Sequence, residues 1–206
     1  MAASWFWDRM AKRYSRSPVA NEEAYQKKLE VTRSYLRPDM DVLEFACGTG
    51  STAVAHAPYV KSITAIDISK NMLQIARSKA EAAHVTNIDF KLSGIEEFEA
   101  GSQSFDVVMG HSILHLLEDR DMVIAKVHDL LKPDGVFVSS TTCVGGGFNI
   151  FKLVLPIGHF FGLLPLVRFF SVRELKQSIE ACGFEIDHQW QPASGSAVFI
   201  VAKKPA

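Results

Sequence analysis

The segment Val42-Leu43-Glu44-Phe45-Ala46-Cys47-Gly48-Thr49-Gly50-Ser51 constrains this chain more than any other. An apolar run of strand length, Val42 to Ala46, passes within a few residues into a stretch with helical character. Gly48 and Gly50 allow a turn with no Cβ in the way, so a ligand can lie against bare backbone. The helix beyond offers free N–H groups and a positive dipole end, which suit a carboxylate or phosphate. Asp67 closes the next apolar run, 19 residues after Gly48. That is the usual place for an acid that accepts hydrogen bonds from both ribose hydroxyls. The turn alone leaves alternatives open. Gly48, Gly50 and Ala53 also satisfy the dinucleotide fingerprint G-x-G-x-x-A, and so short a turn needs glycine even without a ligand.

Strand-length apolar runs alternate with helical periods along the rest of the chain. Ile63 to Ile66, Ile88 to Leu92, Phe105 to Met109 and Gly135 to Ser139 read as strands buried on both faces. Leu73, Ala76, Ala80 and Ala83 mark a helix behind an N-cap at Ser69. Val123, Val127, Leu130 and Leu131 mark another, ended by Pro133 and Gly135. This alternation implies right-handed crossovers and a parallel sheet with helices on both faces. The tail differs. Ser171 and Glu174 form a capping box, and Gly183 suits the helix C′ position. Phe184 to Trp190 and Ala197 to Ala202 then read as a hairpin, so one C-terminal strand runs antiparallel.

A net charge of -1 excludes a chain built to coat nucleic acid. With 48% hydrophobic and 22% charged residues, a soluble globular domain is expected. We expect a single domain over 1–206, with an N-terminal helical cap at 1–36 and an apolar insert at 145–170. Three cysteines without metal spacing, Cys47, Cys143 and Cys182, suit a reducing cytoplasm. Met1 to Arg16 lacks the apolar core of a secretory signal. Leu153 to Val167 carries no charge, but it is shorter than a bilayer span and is broken by Pro156, Gly158, Gly162 and Pro165.

The order of the motifs is more specific than any one of them. E-x-A-C-G-T-G at Glu44 to Gly50 resembles the first motif of class I S-adenosylmethionine-dependent methyltransferases. Ile63-Thr64-Ala65-Ile66-Asp67-Ile68-Ser69 with Asn71-Met72-Leu73 resembles their second motif. Phe105-Asp106-Val107-Val108, continuing to Leu114-His115-Leu116-Leu117, resembles the fourth-strand motif. Leu130-Leu131-Lys132-Pro133-Asp134-Gly135-Val136-Phe137 is similar to the approach to the fifth strand. The match runs from about Leu36 to Pro205 apart from the insert, and resembles the ubiquinone/menaquinone-biosynthesis-like small-molecule methyltransferases. It implies a Rossmann-like fold: a mostly parallel seven-stranded sheet with an antiparallel C-terminal strand and helices on both faces.

The resemblance also implies roles. S-adenosylmethionine is the implied cofactor, with S-adenosylhomocysteine as product. Glu44 should meet the amino group of its methionine end through the backbone or a water, with Ala46 beside it, and Gly48, Thr49 and Gly50 should lie beneath it. Asp67 should hold the ribose, with Ile68 and Met72 against adenine and Gly94 and Ile95 bordering it. Ser93 stands where the family often has Asp. Gly110 and His111 should leave the fourth strand beside the cofactor. Trp7-Asp8-Arg9-Met10-Ala11-Lys12-Arg13-Tyr14 resembles the W-D-x-x-A-x-x-Y lead-in of the subgroup, in which Tyr14 would fold over the cofactor.

Methyl transfer asks for proximity and alignment, and for a base only when the nucleophile arrives protonated. His111 is the candidate base, against the plainer role of hydrogen-bonding the cofactor or a loop. His115 reads as a packed histidine, and His159 sits in the insert. No residue cluster suggests a metal, and Cys47 reads as a small buried residue. The expected acceptor is small and apolar, a quinol, phenol, thiol, amine or lipid-like molecule. A nicotinamide oxidoreductase and a non-catalytic module binding S-adenosylmethionine or S-adenosylhomocysteine are the rivals. The insert reads as a packed helical lid, a mobile cover over the acceptor, or a peripheral membrane contact shared with Trp5 and Trp7. Oligomeric state is left open.

Overall fold

A computed structural model of the chain describes residues 2–143, 166–193 and 196–206. The lid expected at 145–170 and His159 therefore fall largely or wholly outside the described residues, as does the tip of the terminal hairpin.

The N-terminal region supplies α1 (Ala2–Arg16) and α2 (Glu22–Arg33). The alternating unit follows as β1 (Asp41–Phe45), α3 (Ser51–His56), β2 (Ser62–Asp67), α4 (Lys70–Ala82) and β3 (Ile88–Leu92). It continues with β4 (Phe105–His111), α5 (Arg120–Leu130) and β5 (Leu131–Thr142), and ends with α6 (Val172–Ala181), β6 (Glu185–Trp190) and β7 (Ala197–Lys203). Local signals set the helix starts. Ser69 Oγ accepts from Met72 N at 3.1 Å, Asp119 Oδ1 from Met122 N at 2.9 Å, and Ser171 and Glu174 close the expected capping box. Gly183 takes φ +90° at the end of α6.

The strands form one seven-stranded sheet in the order β3-β2-β1-β4-β5-β7-β6. β1 to β5 pair in parallel, and β7 runs antiparallel between β5 and β6. The sheet and its antiparallel member are as expected; most strand ends shift by a residue or more, and two shifts matter. β4 runs on to His111 rather than ending at Met109, because Gly110 and His111 continue the ladder onto Ser139 and Ser140. Leu131 belongs to β5, not to the preceding helix, because it already pairs with Phe105.

Side chains alternate across the sheet and divide the core in two. Leu43, Phe45, Val108 and Phe137 pack with α5 and α6 on one face. Val42, Val107, Met109 and Val138 pack on the other, under α3, α4 and the end of α2. Glu44, His111 and Ser140 continue that second set at the carboxyl ends of β1, β4 and β5, where the apolar pattern gives way to polar residues. The three free cysteines agree with the reading that they form no disulfide framework.

Candidate functional site

The turn after β1 is built from three left-handed residues: Ala46 at φ +51°, Gly48 at φ +55° and Gly50 at φ +71°. The two glycines serve different ends. A Cβ on Gly48 would meet nothing within 4 Å, so its backbone is bare toward open space. A Cβ on Gly50 would come within 2.7 Å of Ala76 Cβ, so Gly50 lets α3 start hard against α4. Ala46 carries a side chain in a conformation that costs about 1–2 kcal/mol, a strain found most often at ligand sites.

Asp67 pins this turn from below. Its Oδ2 accepts from Gly48 N and its Oδ1 from Ser69 N, both at 2.8 Å. Each oxygen keeps a second lone pair for a ligand hydroxyl. Burial raises the Asp67 carboxyl above its ordinary range, and backbone donors at Ser69, Gly48 and Ile68 work against that rise.

Above the turn lies a cavity of about 590 Å³, a size suited to a small-molecule cofactor and acceptor. Of the residues marked in the sequence, Tyr14, Glu44, Ala46, Gly48, Thr49 and His111 line it. Gly50, Asp67, Ile68, Met72, Gly94, Ile95 and Gly110 do not. Ile68 is exposed beside the turn, and Met72 is buried at the start of α4. Ile95 packs in the core under α5. A Cβ on Gly110 would stand 2.2 Å from Phe45 Cζ, so this glycine lets β1 and β4 lie together. Ser93 Oγ is already donated to Gly94 O at 2.9 Å.

Several buried polar atoms face this region without a partner. Glu44 is 3% exposed and its Oε2 has no hydrogen bond. Burial, and then the nearby Asp67 charge, push its carboxyl up to about 8. His111 Nε2 is covered and unpartnered. Burial, and then Lys28, push the His111 imidazole down to about 4, so it is neutral at physiological pH. His56, at the end of α3, is 1% exposed with both ring nitrogens unpartnered, and burial brings it down to about 3.

Sequence reasoning passed over the other wall. Helix α2 presents Tyr25, Lys28, Leu29 and Thr32 to the cavity at helical spacing. Lys28 Nζ donates to Ser140 Oγ at 2.8 Å, across to β5. At the turn, Lys79 Nζ donates to Thr49 Oγ1 and Ser51 Oγ, both at 2.8 Å. Asp8 was overlooked within its own motif. Its Oδ1 accepts from Ser69 Oγ at 2.7 Å and Asn71 N at 3.0 Å, and its carbonyl from Asn71 Nδ2 at 3.1 Å. These bonds hold α1 on the start of α4 and bring Tyr14 to the cavity mouth. His115 is half-buried, and its carbonyl accepts from Arg168 N at 2.7 Å. Burial raises the Cys47 thiol well above its ordinary value, which suits an inert residue. Among the described residues no group of three or more His, Cys, Asp or Glu could hold a metal, and no helix is long and apolar enough to cross a membrane.

Comparison with known proteins identifies the family of the domain. A family model described as a methyltransferase domain matches residues 36–191. The uncharacterized methyltransferase YcgJ of Bacillus subtilis is 30% identical over 110 residues, covering 53% of this chain and 44% of YcgJ. The ubiquinone biosynthesis O-methyltransferase of Coxiella burnetii is 26% identical over 151 residues, covering 70% of this chain and 63% of the relative. The alignments thus span roughly half the length of these curated relatives. The crystal structure of YcgJ superposes with a TM-score of 0.72 at 19% identity, covering 88% of this chain and 99% of YcgJ. Geranyl diphosphate C-methyltransferase of Streptomyces coelicolor, solved with S-adenosyl-L-homocysteine, gives a TM-score of 0.71 at 14% identity, covering 89% of this chain and 79% of that one.

Proposed function

The chain belongs to the methyltransferase-domain family, and from that premise we propose that it transfers a methyl group from S-adenosylmethionine to a small acceptor held over the carboxyl ends of β1, β4 and β5. The observation that carries the reading is Glu44: a buried carboxylate with an unpartnered oxygen, in the wall of a cavity floored by the bare backbone of Gly48. A buried polar atom without a partner is costly, and a ligand ammonium removes that cost. The residues present therefore fit the cofactor.

Glu44 would hold the amino group of the methionine end, with Ala46, Gly48 and Thr49 beneath it. Asp67 would use its free lone pairs on the ribose, beside Ile68, Met72 and Gly94, and Tyr14 would close the mouth from α1. S-adenosylmethionine supplies, when bound, a methyl group already activated on a sulfonium. What remains for the protein is to align the acceptor, exclude water and take up a proton. His111 would take it from a protonated acceptor; burial leaves the imidazole neutral at pH 7, and its Nε2 at the end of β4 has no partner. Pro18, Val19, Ala20, Ala24 and Leu29 give the acceptor space an apolar wall, which favours an acceptor with an apolar body.

The test has two parts. S-adenosylhomocysteine should bind by calorimetry and raise the melting temperature, since a ligand of the folded state stabilises it by mass action. Labelled S-adenosylmethionine offered with phenols, quinols, thiols and amines should then label one class. Binding without label transfer to any class would favour the non-catalytic cofactor-binding module. No binding would end the reading.

A further inference from the structure

The cavity is lined by two partly buried cations, and they stand at different places. Lys79 lies on the glycine turn, tied to Thr49 and Ser51. Lys28 reaches from α2 to Ser140 on β5. Among the described residues neither has a carboxylate within salt-bridge distance. Each is held only by hydroxyls, and burial lowers the pKa of both. A partly buried ammonium with a hydroxyl as its sole polar contact is poorly compensated, and an anion would complete it.

The two lysines stand over different strands of the sheet. β4 separates β1 from β5 in the sheet. Ser140 is level with His111, one residue beyond the Phe45–Gly110 pair and two beyond Glu44 in register. Strand spacing and rise place the Glu44 and Ser140 backbones about 10–12 Å apart. An α-amino group and an α-carboxylate share one carbon, so an ammonium held by Glu44 leaves its carboxylate near the turn, where Lys79 stands.

Resting on the reading of the site as a methyltransferase centre, we propose that Lys28 and Ser140 form an acceptor subsite for a carboxylate. The substrate is then a small acid with an apolar body. Its carboxylate lies on Lys28 and Ser140, and the rest lies along Pro18, Val19 and Leu29. Lys28 is a positioning and specificity residue for such an acceptor.

The experiment uses the full chain saturated with S-adenosylhomocysteine, with benzoate and benzamide as matched probes. Calorimetry should show benzoate binding at least about tenfold more tightly than benzamide, the scale of one charge-assisted contact. Lys28→Met should abolish that preference and leave S-adenosylhomocysteine affinity within about twofold. Lys28→Arg should restore part of the preference. Lys79→Met should do the reverse, weakening S-adenosylhomocysteine while sparing its analogue methylthioadenosine, which lacks the amino-acid carboxylate. Equal or absent binding of the two probes overturns the subsite. So does a loss of S-adenosylhomocysteine affinity in Lys28→Met that methylthioadenosine escapes, because Lys28 would then serve the cofactor. Failure of S-adenosylhomocysteine to bind the parent protein would instead overturn the methyltransferase reading.

Discussion

The two ends of the same strands are built on opposite terms. At the amino ends of β1, β2, β4 and β5 the polar groups close on one another. Asp106 Oδ2 accepts from Asp41 N at 2.8 Å and from Lys132 Nζ at 2.7 Å, and Asp41 accepts from Ser62 Oγ at 2.7 Å and Lys61 Nζ at 3.0 Å. At the carboxyl ends, Glu44 and His56 are more deeply buried, and they and the partly buried His111 keep atoms without partners. One rim has its charged groups paired with one another, and the other keeps buried polar atoms without partners.

Acid should expose the difference most strongly. His56 and His111 have folded pKa values near 3 and 4, below the ordinary 6.5. The unfolded chain therefore binds more protons than the folded one between those values. Their contribution is present in full above pH 6.5 and is lost as pH falls through the folded values, on the order of several kcal/mol in total. The raised carboxyl of Glu44 works the other way over the same window, so the test is the difference between variants: in urea unfolding from pH 7 to pH 4, His56→Leu should lose less stability than the parent. An unchanged slope in His56→Leu would remove that histidine from the argument.

Gly110→Ala is the next largest effect. Its Cβ would press on the Phe45 ring at 2.2 Å between two central strands. Overpacking of this kind should cost about 3 kcal/mol in urea unfolding. Asp106→Ala, at the paired rim, should cost about 1–2 kcal/mol by stranding Asp41 N and Lys132, without touching S-adenosylhomocysteine affinity. Glu44→Gln should be the smallest in stability, within about 0.5 kcal/mol either way, because the folded protein already favours an uncharged side chain there. The same substitution should nonetheless weaken S-adenosylhomocysteine. A stability loss at Glu44 as large as that at Asp106 would erase the contrast between the rims.

The fold was legible because its signals are local and periodic. Alternating apolar runs gave the strands, and Ser69, Ser171 and Gly183 gave the helix ends. The glycine turn was legible too, as was the place of Glu44, His111 and Tyr14 around one cavity. The other wall was not. Glu22-Glu23-Ala24-Tyr25-Gln26-Lys27-Lys28-Leu29 reads as a solvated helix, and Lys28 matters only because α2 lies across the ends of β1 to β5, a pairing over 112 residues. His56 gives no local sign, since its isolation follows from burial between α3 and the sheet. Gly50 and Gly110 show the converse. They stand where a ligand glycine is expected, yet close packing already accounts for both.

The central claim is that Glu44 receives the amino end of the cofactor, and proton release on binding tests it most directly. With its carboxyl near 8, Glu44 is mostly protonated at pH 7 in the free protein. Pairing with an ammonium must ionise it. Titration with S-adenosylhomocysteine at pH 7, in two buffers of different ionisation enthalpy, should therefore show release of about 0.9 proton per site. Glu44→Gln should bind more weakly and release none from this site. Binding with no net proton release, and with the same affinity in Glu44→Gln, would contradict the account.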